Sequence, residues 1–93
     1  MGKRLTDAEI QDQLSRVDGW TLDGNAIHKQ FTLGSFADAI AFVTRLAFDA
    51  EAADHHPDIF ISYKRVTLSF STHSDGGLTD KDFAGARQVD ALL

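Results

Sequence analysis

Glu51, Asp54, His55 and His56 stand immediately before Pro57, and His73 follows the next apolar stretch. Imidazole gives and takes protons near neutral pH, so neighbouring imidazoles flanked by carboxylates suit general acid–base chemistry in both directions. Glu51 precedes His55 by one helical turn, where a carboxylate can orient the ring. Pro57 has no N–H and disfavours helical backbone at the residue before it, so it is expected to end a helix at His56 and fix both rings there. Asp54 falls on the core side of that helix and points toward a pocket. Three imidazoles also make a zinc set. Neighbours on a helix diverge by about 100°, however, and helical zinc pairs use i,i+4 spacing. The pattern therefore points to proton transfer with no metal.

Three hydroxyl residues mark the helices that must carry these groups. Thr6, Ser35 and Thr79 each precede a carboxylate three residues on, at Glu9, Asp38 and Asp82. The hydroxyl caps an orphan N–H and the acid meets the positive end of the helix dipole. Helices are expected at about Asp7–Arg16, Phe36–His56 and Asp80–Leu92. In this reading Asp82 is simply the acid in the first turn of the last helix. Strands fill the intervals. Trp20–Leu22 and Ala26–Phe31 flank Asp23-Gly24-Asn25, a good turn. Ile59–Tyr63 and Val66–Thr72 flank Lys64-Arg65. The order is α-β-β-α-β-β-α, an α+β fold with a four-stranded antiparallel sheet and helices packed on one face.

Taking Lys64-Arg65 as the hairpin loop sets Tyr63 against Val66, Ile61 against Leu68 and Ile59 against Phe70, with all these apolar side chains on the core face. Extended to its end, this register places His56 opposite His73. Three imidazoles are then expected to converge where the long helix meets the strand end. His28 has no such reason to join them and reads as an ordinary strand residue. Tyr63 reads as a packing residue at the hairpin tip.

The whole-chain numbers bound what this site can serve. The chain has 93 residues, 43% of them apolar and 25% charged, which fits one folded domain over residues 1–93. Its net charge of −5 comes with scattered basic residues, which argues against direct nucleic-acid binding. No cysteine is present, which excludes disulfides and thiol catalysis and fits a cytoplasmic protein. The start, Met1-Gly2-Lys3-Arg4, has no apolar run behind it, so no signal peptide is expected. Phe36 to Ala53 carries Asp38, Arg45, Asp49 and Glu51 and reads as a helix outside any membrane. On a helical wheel Phe36, Ile40, Val43, Leu46 and Ala50 share the core face, while Ala37, Ala41, Phe48 and Ala52 lie opposite beside Arg45. An exposed Phe among alanines suggests a contact between subunits.

Glu51, then His55-His56-Pro57, then Tyr63, His73 and Asp82 resembles the signature of the pterin-4a-carbinolamine dehydratases. The segments HHPDI, VTLSFSTH and GGLTDKDFAGARQVD are similar to bacterial members, and the resemblance runs from the first helix start to the last helix. Lys64 stands where many members have Asn, and Ile59 where animal members commonly have Trp. The resemblance implies dehydration of 4a-hydroxytetrahydrobiopterin to quinonoid dihydropterin and water, in tetrahydropterin recycling, with neither a cofactor nor a metal. It implies acid–base roles for His55 and His73, pterin binding by His56, and support from Asp54, Glu51, Pro57 and Asp82. It also implies a pterin substrate and a homodimer or homotetramer. The other function class it brings is a non-catalytic assembly protein of the same fold, because animal relatives act as dimerisation cofactors of a transcription factor.

Overall fold

Each helix begins at the hydroxyl residue that its sequence marks. The computed structural model describes residues 3–93, so the Met1-Gly2 part of the expected leaderless start lies outside the described residues. Helix α1 spans Asp7–Leu14, with a reciprocal capping box between Thr6 and Glu9. The Thr6 backbone N–H and hydroxyl hold the Glu9 carboxyl below its ordinary range. Helix α2 spans Phe36–Ala53 behind Ser35. Helix α3 spans Asp80–Asp90, with a second capping box between Thr79 and Asp82.

The strands are β1 (Thr21–Asp23), β2 (Ala26–Thr32), β3 (Asp58–Ser62) and β4 (Arg65–Phe70). They form one antiparallel sheet in the order β1-β2-β4-β3. The expected order α-β-β-α-β-β-α holds, with a short 3₁₀ turn at His73–Asp75 before α3. Ile27, Phe31, Val66, Leu68 and Phe70 are buried on one sheet face, against Phe42 and Leu46 of α2 and Phe83 and Val89 of α3. Trp20 closes the end of this core, with its ring edge-on to Phe31 at 6.1 Å. Its indole N–H donates to Asp90 at 3.0 Å, and Asp90 also pairs with Lys29 at 2.9 Å. No described helix is long and apolar enough to cross a membrane.

Three expectations are corrected. The hairpin loop is Tyr63-Lys64, not Lys64-Arg65, so Ser62 pairs with Arg65, Ile61 with Val66 and Ile59 with Leu68. Tyr63 takes a left-handed conformation (φ 56°) and makes the turn itself. The register therefore slips by two residues. An even slip keeps every side chain on its face, but it removes the pairing of His56 with His73. β3 is also an edge strand, which leaves Ile59, Phe60 and Tyr63 exposed.

The second correction concerns the core face of α2, which is Ala39, Phe42, Leu46 and Ala50; Phe36 and Ile40 are exposed. The centre of the buried stripe is rotated because Ala39 and Phe42 fill it, and Phe36 lies in the first turn, beyond the sheet-facing stripe.

The third is the end of α2. The helix stops at Ala53, before Pro57 can act on it. Asp54 takes the left-handed conformation (φ 51°, ψ 42°). Its N–H reaches the Glu51 carbonyl at 3.1 Å, and the His55 N–H reaches the Ala50 carbonyl at 3.1 Å. This is the paired closure of a Schellman turn. A left-handed L-residue costs about 1–2 kcal/mol, and glycine escapes that cost. Asp54→Gly should therefore keep or raise stability in urea unfolding, and Asp54→Val should lower it by about 1–2 kcal/mol. Equal stability of the Val and Gly variants would contradict the assigned role of this turn.

Candidate functional site

The turn at Asp54 decides where the two adjacent imidazoles go. Because α2 has already ended, His55 and His56 lie outside any helix, and their rings take different partners. The His55 ring turns inward: its side chain is 12% exposed and its Nε2 lies 2.6 Å from Asp82 Oδ1. It stacks on Phe70 with ring centroids 5.9 Å apart and planes 15° from parallel. The His56 ring stays at the surface, with Nε2 2.5 Å from Glu51 Oε1. Glu51 therefore orients His56 rather than His55, because the left-handed turn rotates the chain past the position that continuous helical spacing would give.

His73 lies just beyond β4 in the 3₁₀ turn, exposed, with Nε2 3.3 Å from Ser71 Oγ. It borders an open cavity of about 360 Å³ at the end of the sheet, lined also by Asp58, Ser69, Ser71 and Thr72. His55 borders a separate, mostly apolar cavity of about 120 Å³ between α2 and α3, with Pro57, Phe70, Lys81 and Gly85 in its wall. The expected single cluster of three rings is thus distributed. His55 and His73 border different cavities, and His56 stands outside both linings. Asp54 is exposed and lines neither cavity, so its place is in the backbone turn and not in a pocket. His28 pairs across the sheet with Ser69 and lines neither cavity.

What joins the His55 and His73 segments is the buried carboxylate of Asp82, which has no exposed surface. Its Oδ2 accepts from the Thr72 hydroxyl at 2.8 Å and from the Thr79 N–H at 3.0 Å. Its Oδ1 meets His55. One side chain thus closes the start of α3, holds the residue next to His73 and fixes the His55 ring. Capping identifies Asp82 from sequence but does not reveal its two other contacts. Thr72 was missed, although a signal exists: it follows Val66, Leu68 and Phe70 in the inward-facing row, where a polar residue needs a buried partner. Gly85 was also missed. A Cβ there would stand 2.6 Å from Phe70 Cε1, so only glycine lets the ring under His55 lie against α3.

The arrangement can move protons. Each of the three rings has one nitrogen engaged by a carboxylate or hydroxyl, and each reaches solvent. Among the described residues no three histidine, aspartate or glutamate side chains are gathered as a metal set.

Residues 3–92 match the family model described as pterin 4 alpha carbinolamine dehydratase. A protein of Roseiflexus sp. (strain RS-1), provisionally named a pterin-4-alpha-carbinolamine dehydratase, is 56% identical over all of both chains. A protein of Chloroflexus aurantiacus with the same provisional name is 53% identical over 97% of each chain. The crystal structure of a transcriptional coactivator/pterin dehydratase from Brucella melitensis superposes with a TM-score of 0.92 at 39% identity, covering 97% of this chain and 98% of that one. A pterin dehydratase-like protein identified as a RuBisCO assembly factor in the alpha-carboxysome gives a TM-score of 0.64 at 28% identity, covering 78% of this chain and 84% of that one. On the full-length match and these identities, the chain belongs to the pterin-4a-carbinolamine dehydratase family.

Proposed function

We propose that this protein dehydrates 4a-hydroxytetrahydrobiopterin to quinonoid dihydropterin and water by histidine acid–base catalysis. The observation that carries the reading is the inward-turned His55, fixed by buried Asp82, beside the His73 turn. In the reaction the C4a–O bond breaks, and the departing hydroxyl takes a proton from one imidazole to leave as water. The N5 proton passes to a second base, and the N5 electrons close the C4a=N5 double bond. No electrons are gained or lost, so acid and base suffice. His55 and His73 supply the two proton transfers. His56, held by Glu51 at the surface, binds and orients the pterin. Pro57, buried and in the same cavity wall as His55, disfavours helical backbone at His56.

The same reading includes assembly. Phe36, Ile40 and Phe48 are 53%, 40% and 73% exposed on α2, alongside Ala37 and Ala41. Such a face is costly in water and suits a helix–helix contact with a second copy. The assembly factor in the alpha-carboxysome supports a different reading, a non-catalytic scaffold. It is favoured only if folded protein turns over no carbinolamine.

Enzymatically generated carbinolamine should lose water faster with this protein than without it, and a chelator should leave the rate unchanged. His73→Ala and His55→Ala should each lower turnover by about 10²-fold or more. His56→Ala should raise KM more than it lowers kcat, Glu51→Gln should be milder, and His28→Ala should match wild type. Circular dichroism should show each variant folded. Equal kinetics for His73→Ala and His28→Ala would refute the site assignment. Light scattering at micromolar concentration should find an oligomer whose order falls in Phe48→Asp. A monomeric wild type would refute the assembly.

A further inference from the structure

The hydrogens around Asp82 can be counted, and the count fixes which nitrogen of His55 is available for chemistry. A threonine hydroxyl has one hydrogen. Thr72 gives its hydrogen to Asp82 Oδ2 at 2.8 Å. The 2.9 Å contact between the Thr72 and Thr79 hydroxyls must therefore be donated by Thr79. Thr79 Oγ1 in turn accepts the Lys81 N–H at 3.2 Å. Asp82 Oδ2 takes a second donor from the Thr79 N–H. The carboxylate is thus an acceptor on every side, and at Oδ1 it requires a hydrogen from His55 Nε2.

We propose that this network locks His55 as the Nε2–H tautomer, and that Nδ1 is the atom that exchanges a proton with the pterin. The neutral ring then offers the Nδ1 lone pair and the charged ring offers the Nδ1–H, so one atom serves whichever direction the step takes. No described protein group bonds Nδ1, and no buried side-chain nitrogen or oxygen among the described residues lacks a partner. Nδ1 is therefore reached by solvent, as a proton-transfer atom must be. Stacking on Phe70 holds the ring plane and resists the flip that would put Cε1 in place of Nε2 against Asp82. Thr72 and Thr79 are positioning residues: they touch Asp82, and through it they set the imidazole. The role of Nδ1 in turnover rests on the dehydratase reading, whereas the tautomer itself does not.

Two measurements separate these claims. Long-range ¹H–¹⁵N correlation of the histidine rings, recorded at the alkaline end of their titration and assigned with His55→Gln, should show His55 as the Nε2–H tautomer. An Nδ1–H ring, or an even mixture, overturns the proposal even if the enzyme is active. In the dehydration assay, Thr72→Val should lower kcat by about tenfold, the worth of one hydrogen bond to a charged group. KM should stay within about twofold, and Thr72→Ser should restore the rate because it returns the donor. Thr72→Val should keep the Nε2–H tautomer, because Asp82 still needs a hydrogen at Oδ1. A folded Thr72→Val with wild-type kcat, or a loss that Thr72→Ser does not restore, overturns the positioning role. If wild-type protein has no dehydratase activity, the functional reading fails, and the ring spectrum alone still decides the tautomer.

Discussion

A carboxylate buried without exposed surface must be satisfied on both oxygens, because desolvating it unpaired would cost several kcal/mol. Asp82 meets that demand with donors from three separate parts of the chain: the α3 start, the segment after β4 and the segment after α2. Oδ1 depends on His55 alone and Oδ2 on Thr72 and the Thr79 N–H together, so a shift of any of these segments takes a partner from the buried carboxylate. The placement of His55, the approach of Thr72 and the first turn of α3 are therefore one constraint. The apolar core holds the sheet against the helices, but it is this polar node that fixes the ends from which the candidate chemistry emerges.

The site is built around that node by small residues and turns as much as by histidines. Gly85 admits the Phe70 ring, and Phe70 gives His55 a flat support. Asp54 ends α2 early and sends the two histidines apart, one inward to Asp82 and one outward to Glu51. A longer helix would have kept the rings about 100° apart on one rigid cylinder and brought neither of them under α3. The two imidazoles differ in burial and in partner because the backbone turns between them. That difference suits one to proton transfer in a sheltered setting and the other to contact with substrate from solvent.

Much of this was legible in the sequence. The caps at Thr6, Ser35 and Thr79 place all three helix starts, since capping is local chemistry. The face of β4 was also right, even though the hairpin loop was misplaced, because a slip of two preserves the alternation; Ile59 and Tyr63, expected on the core face, are exposed at the sheet edge and in the turn. The exact pairing depended on whether Tyr63 or Lys64 opens the turn. A left-handed tyrosine is not something composition announces. The helix end was misjudged for a related reason: Pro57 is a visible breaker, whereas a left-handed Asp54 leaves no comparable mark. Glu51 was assigned to the wrong ring because helical spacing was carried past the last helical residue. Asp82 was found as a cap, but its second oxygen and its contact with His55 are tertiary facts. They join residues far apart in the chain through a buried group, and no local pattern encodes them.

The central claim is that Asp82 sets the working state of His55. The most direct measurement is the dehydration rate of Asp82→Asn. The amide oxygen can still accept from Thr72 and Thr79, which keeps the fold, but its N–H₂ then faces His55 Nε2 and demands an acceptor there. The ring must present the opposite tautomer. A wrong-tautomer change of this kind in another histidine–aspartate pair costs about 10⁴-fold in turnover. The account predicts a folded variant whose kcat falls by about 10²-fold or more, with KM little changed. A folded Asp82→Asn protein turning over at the wild-type rate would contradict it.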